Sequence, residues 1–282
     1  MRTEFPLAGG IIAALDNSQL RRTKSESESE PARPCVLMVP GYTGSKEDFL
    51  PLMRPLADAG YRAVAIDQRG QFESAWADDP TGYTLESLGD EVCQLAAELA
   101  AGSAELHLLG HSFGGLVARA AVLAKPELFD SLTLMSSGPA ELGGQRRALL
   151  DAGEPVLARY GMQGLWKQLE ASAQIDPRYR RSPPALLDFL RTRFLANDPV
   201  GLQAMGDVLR TVDDRTAELA ATGLPVLVVY GESDDAWPPS LQADMAQRLG
   251  ATHQVIRGAA HSPAVENTAP TVAALLDFWQ HR

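Results

Sequence analysis

The run Gly110-His111-Ser112-Phe113-Gly114-Gly115 is where this chain can do covalent chemistry. A serine hydroxyl becomes a useful nucleophile only when it projects clear of the backbone and has a base beside it. The apolar run Glu105–Leu109 precedes the serine and the helical pattern Phe113–Ala124 follows it. The sequence therefore predicts strand, sharp turn and helix around Ser112, the context that a Gly-x-Ser-x-Gly nucleophile requires. In so tight a turn the residues two before and two after the serine approach each other, and side chains at Gly110 and Gly114 would clash. The helix then aims its unpaired amides at the reacting centre, where they favour negative charge. The pentapeptide alone occurs in unrelated chains; the flanking elements carry the reading.

Such a serine needs a base, and the base needs an orienting acid. Beyond the apolar run Pro225–Tyr230 the chain reads Gly231-Glu232-Ser233-Asp234-Asp235. A carboxylate just past the carboxyl end of a strand faces the same rim as Ser112, and Asp234 is the candidate, with Asp235 and Glu232 as rivals within one turn. The next strand-like run, His253–Ile256, leads into Gly258-Ala259-Ala260-His261-Ser262-Pro263, a loop from which His261 could reach the serine. His107 lies inside the strand before Ser112 and reads as packed core; His111 adjoins the serine, His253 begins a strand and His281 is close to the chain end. Acyl transfer also needs donors for an oxyanion. The backbone N–H of Phe113 is one candidate. The N–H of Tyr42, in the loop Pro40-Gly41-Tyr42-Thr43-Gly44-Ser45, is the other, and Gly41 lets that backbone approach closely.

The elements that must position these groups alternate. Val36–Val39, Arg62–Ile66, Leu106–Leu109, Leu132–Met135, Val226–Tyr230 and His253–Ile256 read as short strands apolar on both sides, which belong in a parallel sheet covered on both faces. Between them lie helical patterns at Glu47–Ala59, Leu85–Ala101, Phe113–Ala124, Pro239–Leu249 and Pro270–Gln280. The alternation predicts an α/β fold with a doubly wound, mostly parallel sheet. Thr3–Ala8 and Ile11–Asp16 add an antiparallel hairpin at one edge. Residues 139–221 break the pattern with helical periodicity only, at Val156–Ala173, Pro184–Leu195 and Pro199–Leu209. They are expected to form a helical cap over the strand ends, leaving residues 1–138 and 222–282 as the core domain.

Together these segments resemble the α/β-hydrolase superfamily over nearly the whole chain. PGYTGS is similar to its oxyanion loop, Asp67-Gln68-Arg69-Gly70 to its Asp-x-Arg-Gly segment, GHSFGG to its nucleophile elbow, GESDDAWP to its acid loop and GAAHSP to its histidine loop. The resemblance implies the chain order serine, acid, histidine. It implies a serine hydrolase of the esterase/lipase-like branch, and the aromatics expected around its pocket point to a small to medium acyl or aromatic ester. Ser112, in place of an aspartate, argues against haloalkane dehalogenases and epoxide hydrolases. Two departures stand out: Pro40 replaces the usual histidine before Gly41, and Gln71-Phe72-Glu73-Ser74 replaces a Gly-x-Ser ending. Asp67 and Arg69 are expected to hold loops together. Pocket residues are expected at Tyr42, Phe113 and Trp237, with Trp166, Phe189 and Phe194 from the cap, although aromatics at helical spacing more often pack a core of their own.

The composition narrows the rest. Against 25 Lys and Arg stand 36 Asp and Glu, a net charge of −11. That disfavours nucleic acid and anionic membrane surfaces, both of which select basic faces. No apolar stretch reaches the length of a membrane span. The apolar segment Phe5–Leu15 reads as a hairpin turning at Gly9-Gly10 rather than a signal peptide, so a cytoplasmic location is expected. Cys35 and Cys93 read as small core residues. Lys24–Glu30 (KSESESE) reads as a solvated loop. HExxH, a dinucleotide-binding glycine pattern and a P-loop are missing, so no metal and no cofactor are expected, and the expected partner is a small-molecule ester. Two other functions fit the same residues: a ligand-binding receptor on this fold with slow turnover, and a hydrolase of a lactone, thioester, C–C or N-terminal peptide bond. For the last, Glu154, Glu170 or Asp188 could hold a substrate amine.

Overall fold

Successive residues of Val36-Leu37-Met38-Val39 enter two different apolar cores. Leu37 and Val39 point into one, Val36 and Met38 into the other. The period of two of an extended chain produces this split, and a strand that is apolar at every position must be covered on both faces. The computed structural model describes residues 1–21, 32–175 and 177–281. The Ser/Glu-rich stretch Lys24–Glu30 lies outside them.

The strands are β1 (Arg2–Leu7), β2 (Gly10–Asp16), β3 (Arg33–Val39), β4 (Arg62–Ile66), β5 (Ser103–His111), β6 (Ser131–Met135), β7 (Val226–Gly231) and β8 (Thr252–Ile256). They form one sheet in the order β1-β2-β4-β3-β5-β6-β7-β8. The hairpin β1–β2 and its junction with β4 are antiparallel, and every other pairing is parallel. The expected hairpin therefore stands at one edge. The other edge, β8, departs from the reading of strands buried on both faces, since Thr252 to Val255 are exposed.

One face of the sheet is covered by α1 (Leu50–Asp58) and α11 (Thr268–His281), the other by α2 (Leu85–Ala100), α3 (Phe113–Ala124) and α9 (Pro239–Leu249). The helix expected at Glu47–Ala59 begins as a 3-10 turn, Lys46–Phe49, before α1. The buried faces of these helices follow the i, i+3, i+4 spacing, as at Leu88, Val92, Leu95, Ala96 and Leu99 of α2. Burying each such leucine or valine contributes roughly 1.5–3 kcal/mol. Cys35 and Cys93 sit in the same core, where burial pushes each thiol up to about 11.

Between β6 and β7 every regular element among the described residues is helical: α4 (Gly144–Ala173), α5 (Pro177–Arg180), α6 (Pro184–Leu195), α7 (Pro199–Thr211) and α8 (Thr216–Ala221). α4 starts a full three turns before the expected Val156 and is broken at Gly161, whose φ of 61° is not helical. Leu157, Leu165, Trp166, Phe194 and Leu202 give this insert its own apolar cluster. α8 packs instead on α3 and α9. The insert is moored at Asp198, whose amide donates to Gly70 O at 2.8 Å and whose carboxylate takes the Tyr83 hydroxyl. α10 (Pro263–Glu266) follows the loop after β8. No helix of the described residues is long and apolar enough to cross a membrane.

Asp67 and Arg69 join loops, as their place after β4 suggested. Asp67 receives the fully buried Lys46 ammonium at 2.6 Å and the Lys46 amide at 2.8 Å, and Glu73 closes on the same ammonium at 2.7 Å. Arg69 donates to Gly9 O and to Glu91.

Candidate active site

Four candidate groups arrive on one rim because the parallel strands β3, β5, β7 and β8 all end there. Ser112 stands between β5 and α3 with φ 55° and ψ −122°. L-residues rarely adopt that conformation, and holding it costs roughly 1–3 kcal/mol. A Cβ on Gly110 would strike the Gly114 carbonyl, and one on Gly114 the carbonyls of Val39 and Pro40. The two glycines are there for clearance, as the sequence implied.

His261 Nε2 lies 2.9 Å from Ser112 Oγ, and His261 Nδ1 lies 2.9 Å from Asp234 Oδ1. The Asp234 carboxylate is buried and fully partnered: Oδ1 also accepts the Ala236 amide at 3.0 Å, and Oδ2 accepts Gln242 Nε2 at 2.9 Å. Burial alone would lift its pKa, but hydrogen bonds from His261, Ala236 and Gln242 and the nearby imidazole hold it below the ordinary carboxylate range. An ionised Asp234 on Nδ1 leaves Nε2 free to take a proton from the serine. The rival acids are engaged elsewhere: Asp235 holds Arg146 at 2.8 and 2.9 Å, and Glu232 accepts the Gly258 amide at 2.8 Å. His107 is core, stacked on Trp279 at 5.0 Å.

The loop after β3 passes directly over Ser112. A Cβ on Gly41 would lie 3.2 Å from Ser112 Cβ and 3.6 Å from its Oγ. Among the described residues the Tyr42 and Phe113 amides donate no loop or turn hydrogen bond. The side-chain support that Pro40 cannot give comes from glutamines of the Asp67–Ser74 loop. Gln68 Nε2 donates to Pro40 O at 2.8 Å and Gln71 Nε2 to Gly41 O at 2.7 Å.

Above these groups lies a cavity of about 650 Å³. Its apolar wall is made by Leu142, Leu149, Leu150 and Leu157, then Leu165, Leu169, Leu202 and Leu209, with Tyr42, Phe194 and Trp237. The arginines that reach it are held by carboxylates: Arg146 by Asp235, Arg193 by Asp48, and Arg210 by Asp151 at 2.8 Å and Glu154 at 3.2 Å. Trp237 and Phe194 line the cavity as expected. Trp166 and Phe189 do not: Trp166 packs on Phe194 inside the insert's own core, and Phe189 meets Phe72 edge-to-face at 5.8 Å. The Phe113 side chain is likewise fully buried in the sheet core, so only its backbone faces the site. Of the acids considered for a substrate amine, Glu154 alone lines the cavity, already paired with Arg210.

Three further residues belong to the site. Gln242 was legible only as a polar residue on the apolar stripe of α9, with Met245 and Ala246. Glu266 accepts the Ala260 amide at 2.6 Å and the Ser262 amide at 3.2 Å, bracing the loop that carries His261. His111 bonds the His261 carbonyl through Nε2 at 2.7 Å; burial and the neighbouring His261 push its pKa down to about 4, so its ring is neutral and Nε2–H is the donor.

Comparison with known proteins agrees with this fold. The profile of a family described as alpha/beta hydrolase fold matches residues 34–268. A protein of Stutzerimonas stutzeri (strain A1501), named as a candidate carbamate hydrolase, RutD, is 27% identical over 256 residues, spanning 88% of this chain and 92% of that protein. A pimeloyl-[acyl-carrier protein] methyl ester esterase of Aeromonas salmonicida (strain A449) is 29% identical over 215 residues, spanning 74% of this chain and 81% of that one. The solved structure of the enol-lactonase from Burkholderia xenovorans LB400 superposes with a TM-score of 0.78 at 20% identity, covering 99% of this chain and 100% of that one. That last likeness is one of fold.

Proposed function

The chain belongs to the α/β-hydrolase fold family, and from that premise we propose that it is a serine hydrolase cleaving carboxylic esters with an aliphatic acyl chain. One observation carries the proposal: Ser112, His261 and Asp234 are joined by two hydrogen bonds of 2.9 Å, and Ser112 and His261 line a cavity whose apolar wall is largely leucine. His261 takes the Ser112 proton as Oγ attacks the ester carbonyl. The Tyr42 and Phe113 amides receive the oxyanion. Collapse of the tetrahedral intermediate breaks the C–O bond, and His261 returns the proton to the leaving alcohol. Water then attacks the acyl-enzyme by the same route, releasing acid and free Ser112. Asp234 keeps the imidazole in the right tautomer throughout.

In this reading residues 139–221 act as the cap and set the substrate, with α4 and α7 supplying seven of the eight leucines that line the cavity. Because Trp166 and Phe189 turn away from the cavity, its leucines support an aliphatic acyl group over an aromatic one. A carbamate of a few atoms would leave most of 650 Å³ unfilled. The test is steady-state hydrolysis of p-nitrophenyl esters from acetate to dodecanoate, with Ser112→Ala in parallel. Many turnovers, best at intermediate or long acyl chains and absent in the variant, are expected. A single stoichiometric burst would favour a slow receptor, and no reaction on any ester would move the chemistry to another bond.

A further inference from the structure

The peptide between Gly41 and Tyr42 carries both a carbonyl held by Gln71 and the amide assigned to the oxyanion. In a trans peptide C=O and N–H point in opposite directions, and no cis bond occurs among the described residues. Whatever fixes the Gly41 carbonyl therefore fixes the Tyr42 N–H. That peptide needs fixing. Gly41 has no Cβ because the backbone must pass close over Ser112, so sterics alone hold the adjoining peptide weakly; the Gly44 amide reaches the same Gly41 carbonyl at 3.1 Å, a longer bond than the 2.7 Å one from Gln71. A flipped peptide would present a carbonyl oxygen to the oxyanion.

Gln71 Nε2 donates to Gly41 O at 2.7 Å and to Tyr42 O at 3.2 Å, while its Oε1 accepts the Gln68 amide at 3.1 Å. The partners fix the orientation of the carboxamide, since carbonyls only accept and an amide N–H only donates. Gln68 Nε2 then takes Pro40 O at 2.8 Å. Both side chains are buried. Their own loop is pinned in turn, by Gln71 N on Gln68 O and Ser74 N on Gln71 O, both at 2.9 Å, and by Ser74 Oγ on Asp67 O at 2.7 Å. Three consecutive carbonyls of the oxyanion loop are thus engaged by two buried carboxamides.

We infer that Gln71 is a positioning residue for the reaction: by holding the Gly41 carbonyl it locks the Gly41–Tyr42 peptide in the orientation that offers Tyr42 N–H to the oxyanion. This rests on the oxyanion assignment made above, and the test uses binding so that it does not depend on ester turnover. An alkylboronic acid forms a tetrahedral adduct on a serine oxygen and loads the oxyanion donors. A primary alcohol of the same chain length fills the same cavity without an adduct. Affinities of both are measured for the wild type, Ser112→Ala, Gln71→Met and Gln71→Glu.

Gln71→Met is expected to weaken the boronic acid about 10- to 100-fold, somewhat less than outright loss of an oxyanion donor, with alcohol affinity within about twofold. Gln71→Glu is nearly isosteric but replaces the donor with an acceptor. Its deficit relative to wild type is expected to shrink as pH falls, because a buried carboxyl protonates readily and then donates. Should Gln71→Met fail to fold, that pH profile decides. Unchanged boronic acid affinity, an equal loss for both ligands, or a deficit of Gln71→Glu independent of pH overturns the inference. A wild type that binds boronic acid through Ser112 yet cleaves no ester would sink the esterase reading and leave this one standing.

Discussion

Gln242 donates its carboxamide to Asp234 Oδ2 at 2.9 Å, the oxygen that His261 does not use. The same nitrogen reaches Trp237 O at 2.7 Å, so the acid is braced by the helix that follows its loop. Gln242→Leu leaves a buried carboxylate oxygen without its donor, at a cost of about 1–3 kcal/mol. A fall in kcat/KM of roughly 10-fold is expected, against about 10⁴ in kcat for Asp234→Asn. The sign of the pH effect follows from the lowered pKa of Asp234. Its contribution to stability is full above the unfolded carboxylate value of about 3.9 and is lost as pH falls through the lower folded value. Urea midpoints at neutral and acid pH should show Gln242→Leu losing more at neutral pH than at acid pH, and an equal loss at both would refute the assignment.

His111 supplies a second test site on the same rim, with the same sign but a higher pH window. Its folded pKa of about 4 lies below the unfolded histidine value of about 6.5. The folded state therefore disfavours the proton, and the contribution of this group is intact above pH ~6.5 and declines as pH falls towards 4, by at most about 1.4 kcal/mol per pH unit. His111→Gln can still donate to the His261 carbonyl. It should flatten that part of the stability profile, as read by chemical denaturation across the interval; an unchanged slope would show that the ring is not the group responsible.

Leu157 lines the cavity and belongs to the insert's own cluster. Leu157→Trp should fill acyl space and shift the chain-length optimum to shorter esters. Each excluded methylene is worth on the order of 10-fold in kcat/KM. An unaltered chain-length profile would place the acyl group elsewhere.

Arg193 of α6 reaches Asp48 Oδ1 and, at 3.3 Å, Ser45 Oγ, while Asp48 Oδ2 takes the Ser45 amide at 3.3 Å. This ion pair ties the insert to the loop after β3 and is partly exposed. Partly exposed pairs are screened by salt. Arg193→Met is expected to lower kcat/KM a few-fold, roughly the worth of an ion pair of about 1 kcal/mol. High salt should reproduce the loss in the wild type and add little in the variant. A wild-type rate indifferent to salt would remove this contact from the mechanism.

The strand–turn–helix around Ser112 and the loops bearing Asp234 and His261 were legible because each obeys a local rule. The turn needs glycines, and groups after parallel strands share a rim. The start of α4 was not, since Pro155 and Gly161 interrupt its periodicity and suggest a later beginning. Trp166 and Phe189 were misplaced for a related reason: spacing marks the apolar side of a helix but not whether that side meets a cavity or another helix. Gln68, Gln71, Gln242 and Glu266 act through contacts from distant segments, so no neighbouring residues announce them.

Ser112 sits where φ is 55° and ψ is −122°, a backbone state glycine enters freely. Ser112 thus holds a backbone state that suits glycine better than serine. A library of variants screened for heat tolerance alone will drift towards glycine at 112, gaining about 1–3 kcal/mol while discarding the chemistry. Any directed evolution of this protein must tie survival to turnover.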